Sequence, residues 1–126
     1  MNISKFTQKS IQAVNDLEKL AYEYGNQEIE QEHLLMSLLR QEDSLILKLI
    51  AKMGIDQNLF MNGVDQALNK RVKVSGGQPY VGQYLNKVLV NAEDVAKRMG
   101  DEYVSVEHLF IAMLNDPSPS VKELFR

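Results

Sequence analysis

Two places in the chain set a carboxylate beside an imidazole: Glu32-His33 and Glu107-His108. A carboxylate and an imidazole that converge on one point can move a proton or hold a metal ion. The spacing argues against both. Neighbouring residues on a helix project about 100° apart, so the two members of each pair diverge. Neither His-x-x-x-His nor His-x-x-Glu occurs. There is no cysteine, so thiolate nucleophiles and thiolate metal ligands are excluded. No Gly-x-Ser-x-Gly elbow is present, nor a Gly-x-x-x-x-Gly-Lys-Ser/Thr phosphate loop; Gly76-Gly77 has no lysine at that spacing. The histidines are therefore read as structural, bonded to backbone or to a facing helix. No catalytic residue, metal ligand or cofactor-binding residue is assigned, and the chain is read as a binding module, not an enzyme.

The elements that would carry these pairs are helical. Thr7 can cap a helix from about Gln8, with an apolar stripe of Val14, Leu17, Leu20, Ala21 and Tyr24. Gly25 then suits the left-handed residue that closes a helix. A second helix carries Leu34, Leu35, Leu38 and Leu39. Ser44 caps a third, Leu45 to Met53, closed by Gly54, and Asp56 caps a fourth that reaches Leu68 to Arg71. Residues 72–80, with Ser75-Gly76-Gly77-Gln78-Pro79, read as a linker. A fifth helix runs from about Gly82 to Met99, and Ser105 caps a sixth through Asn115. Ser118-Pro119 starts a seventh. The alternating stretches at 72–74 and 103–106 are too short to predict strands.

The chain also repeats itself. Shifted by 75 residues, Gln8 meets Gln83, Glu18 meets Glu93, Ala21 meets Ala96 and Gly25 meets Gly100. Glu32-His33-Leu34 then meets Glu107-His108-Leu109, and Leu39 meets Leu114, with no gap. A shared stripe alone could arise by chance; a shared helix stop, loop length and helix start could not easily. The expected fold is all-α: two pseudo-twofold related helical units, 1–71 and 81–126, packed as one globular domain over 1–126. A counterpart of the fourth helix would begin beyond Arg126, so the second unit is expected to be C-terminally incomplete and the chain part of a longer polypeptide.

Bulk properties narrow the partners. With 126 residues, 44% hydrophobic and 25% charged, the chain can bury a core without disulfides or metals. A net charge of −3 with scattered Lys and Arg argues against nucleic acid. No apolar run approaches the roughly 20 residues that span a bilayer, and the start lacks a signal peptide's apolar stretch. The absence of cysteine fits a cytoplasmic location.

The residues also resemble a known family. Phe6-Thr7-Gln8-Lys9, Gly25-Asn26-Gln27-Glu28-Ile29 and Glu32-His33-Leu34-Leu35 are similar to the first Clp N repeat. Val74-Ser75-Gly76-Gly77-Gln78-Pro79-Tyr80 and the run Gly100 to Leu109 resemble the second, and the linker favours the ClpB-type disaggregating chaperones over the ClpC-type unfoldases. The resemblance implies a mobile N-terminal domain on a hexameric AAA+ ring, monomeric when isolated, that binds unfolded or aggregated client polypeptides and in some relatives adaptor proteins. It places ATP and Mg in later domains of the parent protein, none here. It also points to Thr7, Asp101 and Glu107 as polar residues of client handling. For the apolar part of the site, the seam between the units is expected to form a groove lined by Leu85, Val88 and Leu89 with Phe6 and Val14. The alternative, carried over from the ClpC relatives, is adaptor docking or a grip on phosphorylated arginine by Glu32 and Glu107 with a Thr at the start of each unit; here Gly82 replaces the second Thr.

Overall fold

A computed structural model describes residues 3–126. A 3-10 turn at Ile3–Lys5 leads into α1 (Gln8–Asn15), α2 (Leu17–Tyr24), β1 (Glu28–Ile29), α3 (Gln31–Leu39), α4 (Leu45–Lys52) and α5 (Gln57–Asn69). The second unit contributes β2 (Tyr80–Val81), α6 (Gln83–Arg98), α7 (Val106–Asn115) and α8 (Pro119–Leu124). The helix starts follow the sequence reading: the side chains of Thr7, Ser44, Asp56 and Ser118 accept from Ser10, Leu47, Leu59 and Val121 N–H groups. The stops do too, with Gly25 and Gly100 left-handed at φ 70° and 75°.

The 75-residue repeat is visible in the packing. Together α1 and α2 correspond to α6, α3 to α7, and α4 to α8. Each unit begins with an extended segment that pairs, parallel, with the other unit's loop. Phe6 bridges Val104, and its counterpart Val81 pairs with Ile29, the counterpart of Val104. The hydrogen bonds repeat as well: Thr7 N–H donates to Val104 O at 2.9 Å, and Gly82 N–H to Ile29 O at 2.8 Å. These two short pairings were not expected from the sequence. Two or three residues give no readable alternation, and the partners come from the opposite unit.

One helix of the reading is broken. The expected first helix divides at Asp16, whereas its counterpart α6 is continuous. Ser37 on α3 donates its hydroxyl to Ala13 O at 2.8 Å, drawing that carbonyl out of the helical ladder. The equivalent residue in the second unit is Ala112, which has no hydroxyl.

The core lies in the seam between the units, where α3, α6 and α7 contribute Leu34, Leu35, Leu38, Leu85, Leu109 and Met113, all fully buried. Leu85 is 0%, Val88 1%, Leu89 4% and Phe6 4% exposed. No groove opens at these residues: their side chains are buried in the core between the units. Val14 is half-buried against the same core. The physical reason is that both apolar stripes are consumed by the packing of one unit on the other.

Candidate functional site

The two histidines do the same local work. Nδ1 of His33 accepts the Glu30 backbone N–H at 2.9 Å, and Nδ1 of His108 accepts that of Ser105 at 2.8 Å. Each imidazole thus closes the first turn of its helix, as a glutamate does in a capping box. With Nδ1 accepting, the proton sits on Nε2, which faces Asn26 Oδ1 at 3.0 Å in one unit and Asp101 Oδ2 at 2.8 Å in the other. Burial, followed by the charge of Arg71, depresses the His33 pKa to about 4. Glu32 and Glu107 point elsewhere, and no group of three or more His, Asp or Glu able to hold a metal occurs among the described residues.

Where the helices of one unit meet the loops of the other, two concavities form, related by the pseudo-twofold. The first, about 310 Å³, lies at the start of α6 and is lined by Glu28, Glu30, Glu32, Arg71, Tyr84 and Ser118. The second, about 280 Å³, lies at the start of α1 and is lined by Thr7, Lys9, Asp43, Leu45, Val106 and Glu107, among others. Glu30 corresponds to Ser105, Gln31 to Val106, Glu32 to Glu107 and Gly82 to Thr7.

Around the first concavity the protein's own side chains bond one another, although about 310 Å³ of space remains. Glu30, 4% exposed, accepts from Leu85 N at 2.8 Å and Tyr84 N at 3.2 Å, capping α6 from the opposite unit. Burial raises its pKa, with the two backbone bonds opposing. This explains Gly82: a Cβ there would stand 2.3 Å from Glu30 Oε2, so the carboxylate fills the space a threonine would need. Gln31, fully buried, donates to Asp116 O at 3.0 Å and accepts from Ser118 N at 2.8 Å, fixing the turn before α8. Arg71 spans Glu32 at 2.9 Å and Glu28 at 2.7 Å.

The second concavity has no such network across it. Thr7 caps its own helix, accepting from Ser10 N at 3.3 Å, so no carboxylate crosses from the other unit. Ser105 is too short to reach α1, and Val106 puts an apolar wall where Gln31 puts an amide. Leu45, 39% exposed, adds a second apolar surface. Glu107 is half-buried and has no hydrogen-bond or ion-pair partner among the described residues, while its counterpart Glu32 is 1% exposed and holds Arg71. Of the three polar residues expected to act together, Thr7 and Glu107 therefore share this concavity. Asp101 does not line it; its half-exposed carboxylate is held by His108. Leu45 and Val106 were missed because neither stands out as a residue type. The mismatched pairs Glu30/Ser105 and Gln31/Val106 within an otherwise matching repeat were the available signal.

A mainly helical, pseudo-twofold domain with one internally bonded cleft and one without such bonds is the class that fold and site define. The sequence model of the Clp repeat (R) N-terminal domain matches residues 5–126, and the chain belongs to that family. It is 42% identical over 126 residues to the chaperone protein ClpB of Nitratidesulfovibrio vulgaris, covering 96% of this chain and 15% of that protein. The chain thus spans a small fraction of such relatives. Among solved structures it is similar to the Hsp104 N-terminal domain from Candida albicans, at 24% identity and a TM-score of 0.80, covering 96% of this chain and 79% of that one. It is also similar to a ClpV N-domain solved in complex with a VipB peptide, at 21% identity and a TM-score of 0.77, covering 98% and 78%. By family and fold the chain is a Clp N domain.

Proposed function

We propose that the domain binds exposed segments of unfolded or aggregated polypeptides for a ClpB-type disaggregase, and that it grips them at the cleft of Thr7, Leu45, Val106 and Glu107. The observation that carries this reading is the asymmetry of the two clefts. In one, Glu30, Gln31 and Arg71 are bonded to the protein's own groups. The other presents apolar walls and an unpaired carboxylate. A short apolar segment can lay a side chain against Leu45 and Val106, and a basic flank meets Glu107. Such a cleft is small, and a disordered client must be ordered to enter it, so binding is weak. The resemblance to a domain solved with a bound peptide supports the same use here. In this reading the parent protein is a cytoplasmic hexameric ATPase, with ATP and Mg bound by later domains that thread the client, and this domain performs no chemistry.

The second reading, adaptor or phosphoarginine docking on a ClpC-type unfoldase, draws on a symmetric pair of acidic sites. Here the Glu30 carboxylate occupies the helix end where a phosphate would need donors, and Arg71 occupies Glu32. At most one such site remains open. The test is fluorescence anisotropy with a labelled, permanently unfolded, apolar-rich polypeptide. Leu45→Asp and Glu107→Lys each weaken binding about tenfold, roughly 1.4 kcal/mol, and a compact folded protein does not bind. Unchanged affinity in both variants sinks the assignment of this cleft.

A further inference from the structure

The end of α2 carries a strap, and its counterpart at the end of α6 does not. In the first unit, residues 72–74 cross the turn Tyr24-Gly25-Asn26 and bond to it at each residue. Lys73 Nζ donates to Tyr24 O at 2.7 Å, Val74 N–H to Gly25 O at 2.8 Å, and Asn26 Nδ2 to Val72 O at 3.2 Å. Carbonyls that a helix leaves unpaired at its C-terminus are thereby satisfied, and the ammonium sits at the negative end of the helix dipole. The lysine stem lies so close that a Cβ at Gly25 would stand 3.3 Å from Lys73 Cδ. Val72 and Val74 stay exposed, so the strap is held by its main chain and its lysine, not by apolar burial.

The repeat places Met99-Gly100-Asp101 at the equivalent turn. Gly100 has the left-handed backbone of Gly25, and Asp101 meets His108 Nε2 as Asn26 meets His33 Nε2. Yet no hydrogen bond to Met99 O or Gly100 O is formed among the described residues. A Cβ at Gly100 would meet nothing within 4 Å, and Met99 is 54% exposed where Tyr24 is 6%.

We propose that this bare turn is a docking site for an extended, lysine-bearing segment of a partner protein, held as residues 72–74 are held. The strapped turn supplies the partner's chemistry: an ammonium on Met99 O, and the N–H of the residue after the lysine on Gly100 O. One difference sharpens it. Asp101 stands where Asn26 donates its amide, so the carbonyl before the lysine gains no bond. In exchange, the carboxylate oxygen that His108 leaves free, Oδ1, adds to the pull on the ammonium. Glu102 follows with a second negative charge; Lys97 and Arg98 stand in the last turn of α6, with Arg98 Nε on Asp94 O at 3.4 Å. The charges that select the cation are exposed, so binding weakens with added salt. None of Met99, Gly100 and Asp101 lines the concavity of Thr7 and Glu107, so this inference stands or falls independently of the client reading.

The probe is a capped synthetic peptide of residues 72–76, titrated into the isotope-labelled 126-residue chain. A hydrogen bond accepted by Met99 O or Gly100 O perturbs the amide that follows it, so the signals of Gly100 and Asp101 shift saturably. The same peptide with Lys73→Met leaves them in place. Gly100→Asn sets a side chain where the lysine stem must pass. Asparagine tolerates the left-handed backbone and the space around it is empty, so this variant folds. It shows no shifts at the peptide concentration that half-saturates the parent. Asp101→Asn keeps the bond to His108, as Asn26 keeps that to His33, and lowers the salt dependence of binding. Leu45→Asp, in the cleft, leaves the titration unchanged, so failure of either reading is told from failure of the other. Absence of shifts at Gly100 and Asp101, equal shifts with the Lys73→Met peptide, shifts at Gly25 and Asn26 instead, or full binding to Gly100→Asn each overturns the proposal.

Discussion

Replacing Arg71 with methionine keeps most of the aliphatic stem and removes the charge that faces Glu32. The Glu32 side chain is 1% exposed and that of Arg71 22%, so this pair is screened far less than a surface pair. The second bond of Arg71, to Glu28, involves a 43% exposed carboxylate and contributes at most about 1 kcal/mol. Breaking one side of a buried pair costs about 3–5 kcal/mol because the remaining charge is left without compensation. Glu32 Oε1 already lacks a partner, so no other group takes up the charge. Discounting for the partial exposure of Arg71, the expected loss is about 2–4 kcal/mol. Against a typical domain stability of about 5–15 kcal/mol, the variant still folds. Urea unfolding at neutral pH should move its midpoint down by about 1–2 M. Adding Glu32→Gln to Arg71→Met removes the orphan charge and restores most of the loss. A single variant within about 0.5 kcal/mol of the parent, or a double variant no better than the single, refutes the view that Arg71 satisfies Glu32.

Other outcomes follow from the asymmetry and from the histidines. Gly82→Ala drives the Glu30 carboxylate off the α6 terminus and costs about 2 kcal/mol by the same urea assay. Gly82→Thr with Glu30→Ser copies the Thr7/Ser105 arrangement of the other cleft and recovers stability relative to Gly82→Ala. His33 has a folded pKa of about 4 against an unfolded value near 6.5. The unfolded chain therefore takes up the proton first, and stability is lost as pH falls from about 6.5 toward 4, by about 2 kcal/mol at pH 5. Glu30, whose pKa is raised by burial, acts in the opposite sense where carboxylates titrate. Unfolding measured from pH 7 to 5 should show this loss in the parent and a flatter profile in His33→Gln; equal slopes contradict the assignment.

Much of the fold was legible because its punctuation is local. Thr7, Ser44, Asp56 and Ser118 cap through their own side chains, and Gly25 and Gly100 need only their own backbone to stop a helix. The repeat then supplied the symmetry. What escaped were the features made by contacts distant in sequence. Ser37 breaks the first helix by reaching Ala13, and Glu30 caps a helix that begins more than fifty residues later. Neither leaves a mark at the position it affects, apart from Gly82 standing where the repeat calls for threonine. The site was half legible for the same reason. Thr7 and Glu107 are polar positions that the resemblance singled out, and the repeat aligns Glu107 with Glu32. Leu85, Val88, Leu89 and Phe6 were placed in a groove because a stripe shows which residues are apolar but not which surface receives them. The packing of one unit on the other takes all four.

In the proposed function a client is held at the cleft at the start of α1. The most direct measurement is the chemical-shift footprint of a permanently unfolded, apolar-rich polypeptide on the isotope-labelled domain, with a compact folded protein as control. Perturbations are expected only at Thr7, Leu45, Val106, Glu107 and their neighbours, with none at Glu30, Gln31 or Arg71 around the internally bonded cleft. Perturbations at the internally bonded cleft, or spread evenly over the surface, contradict that assignment.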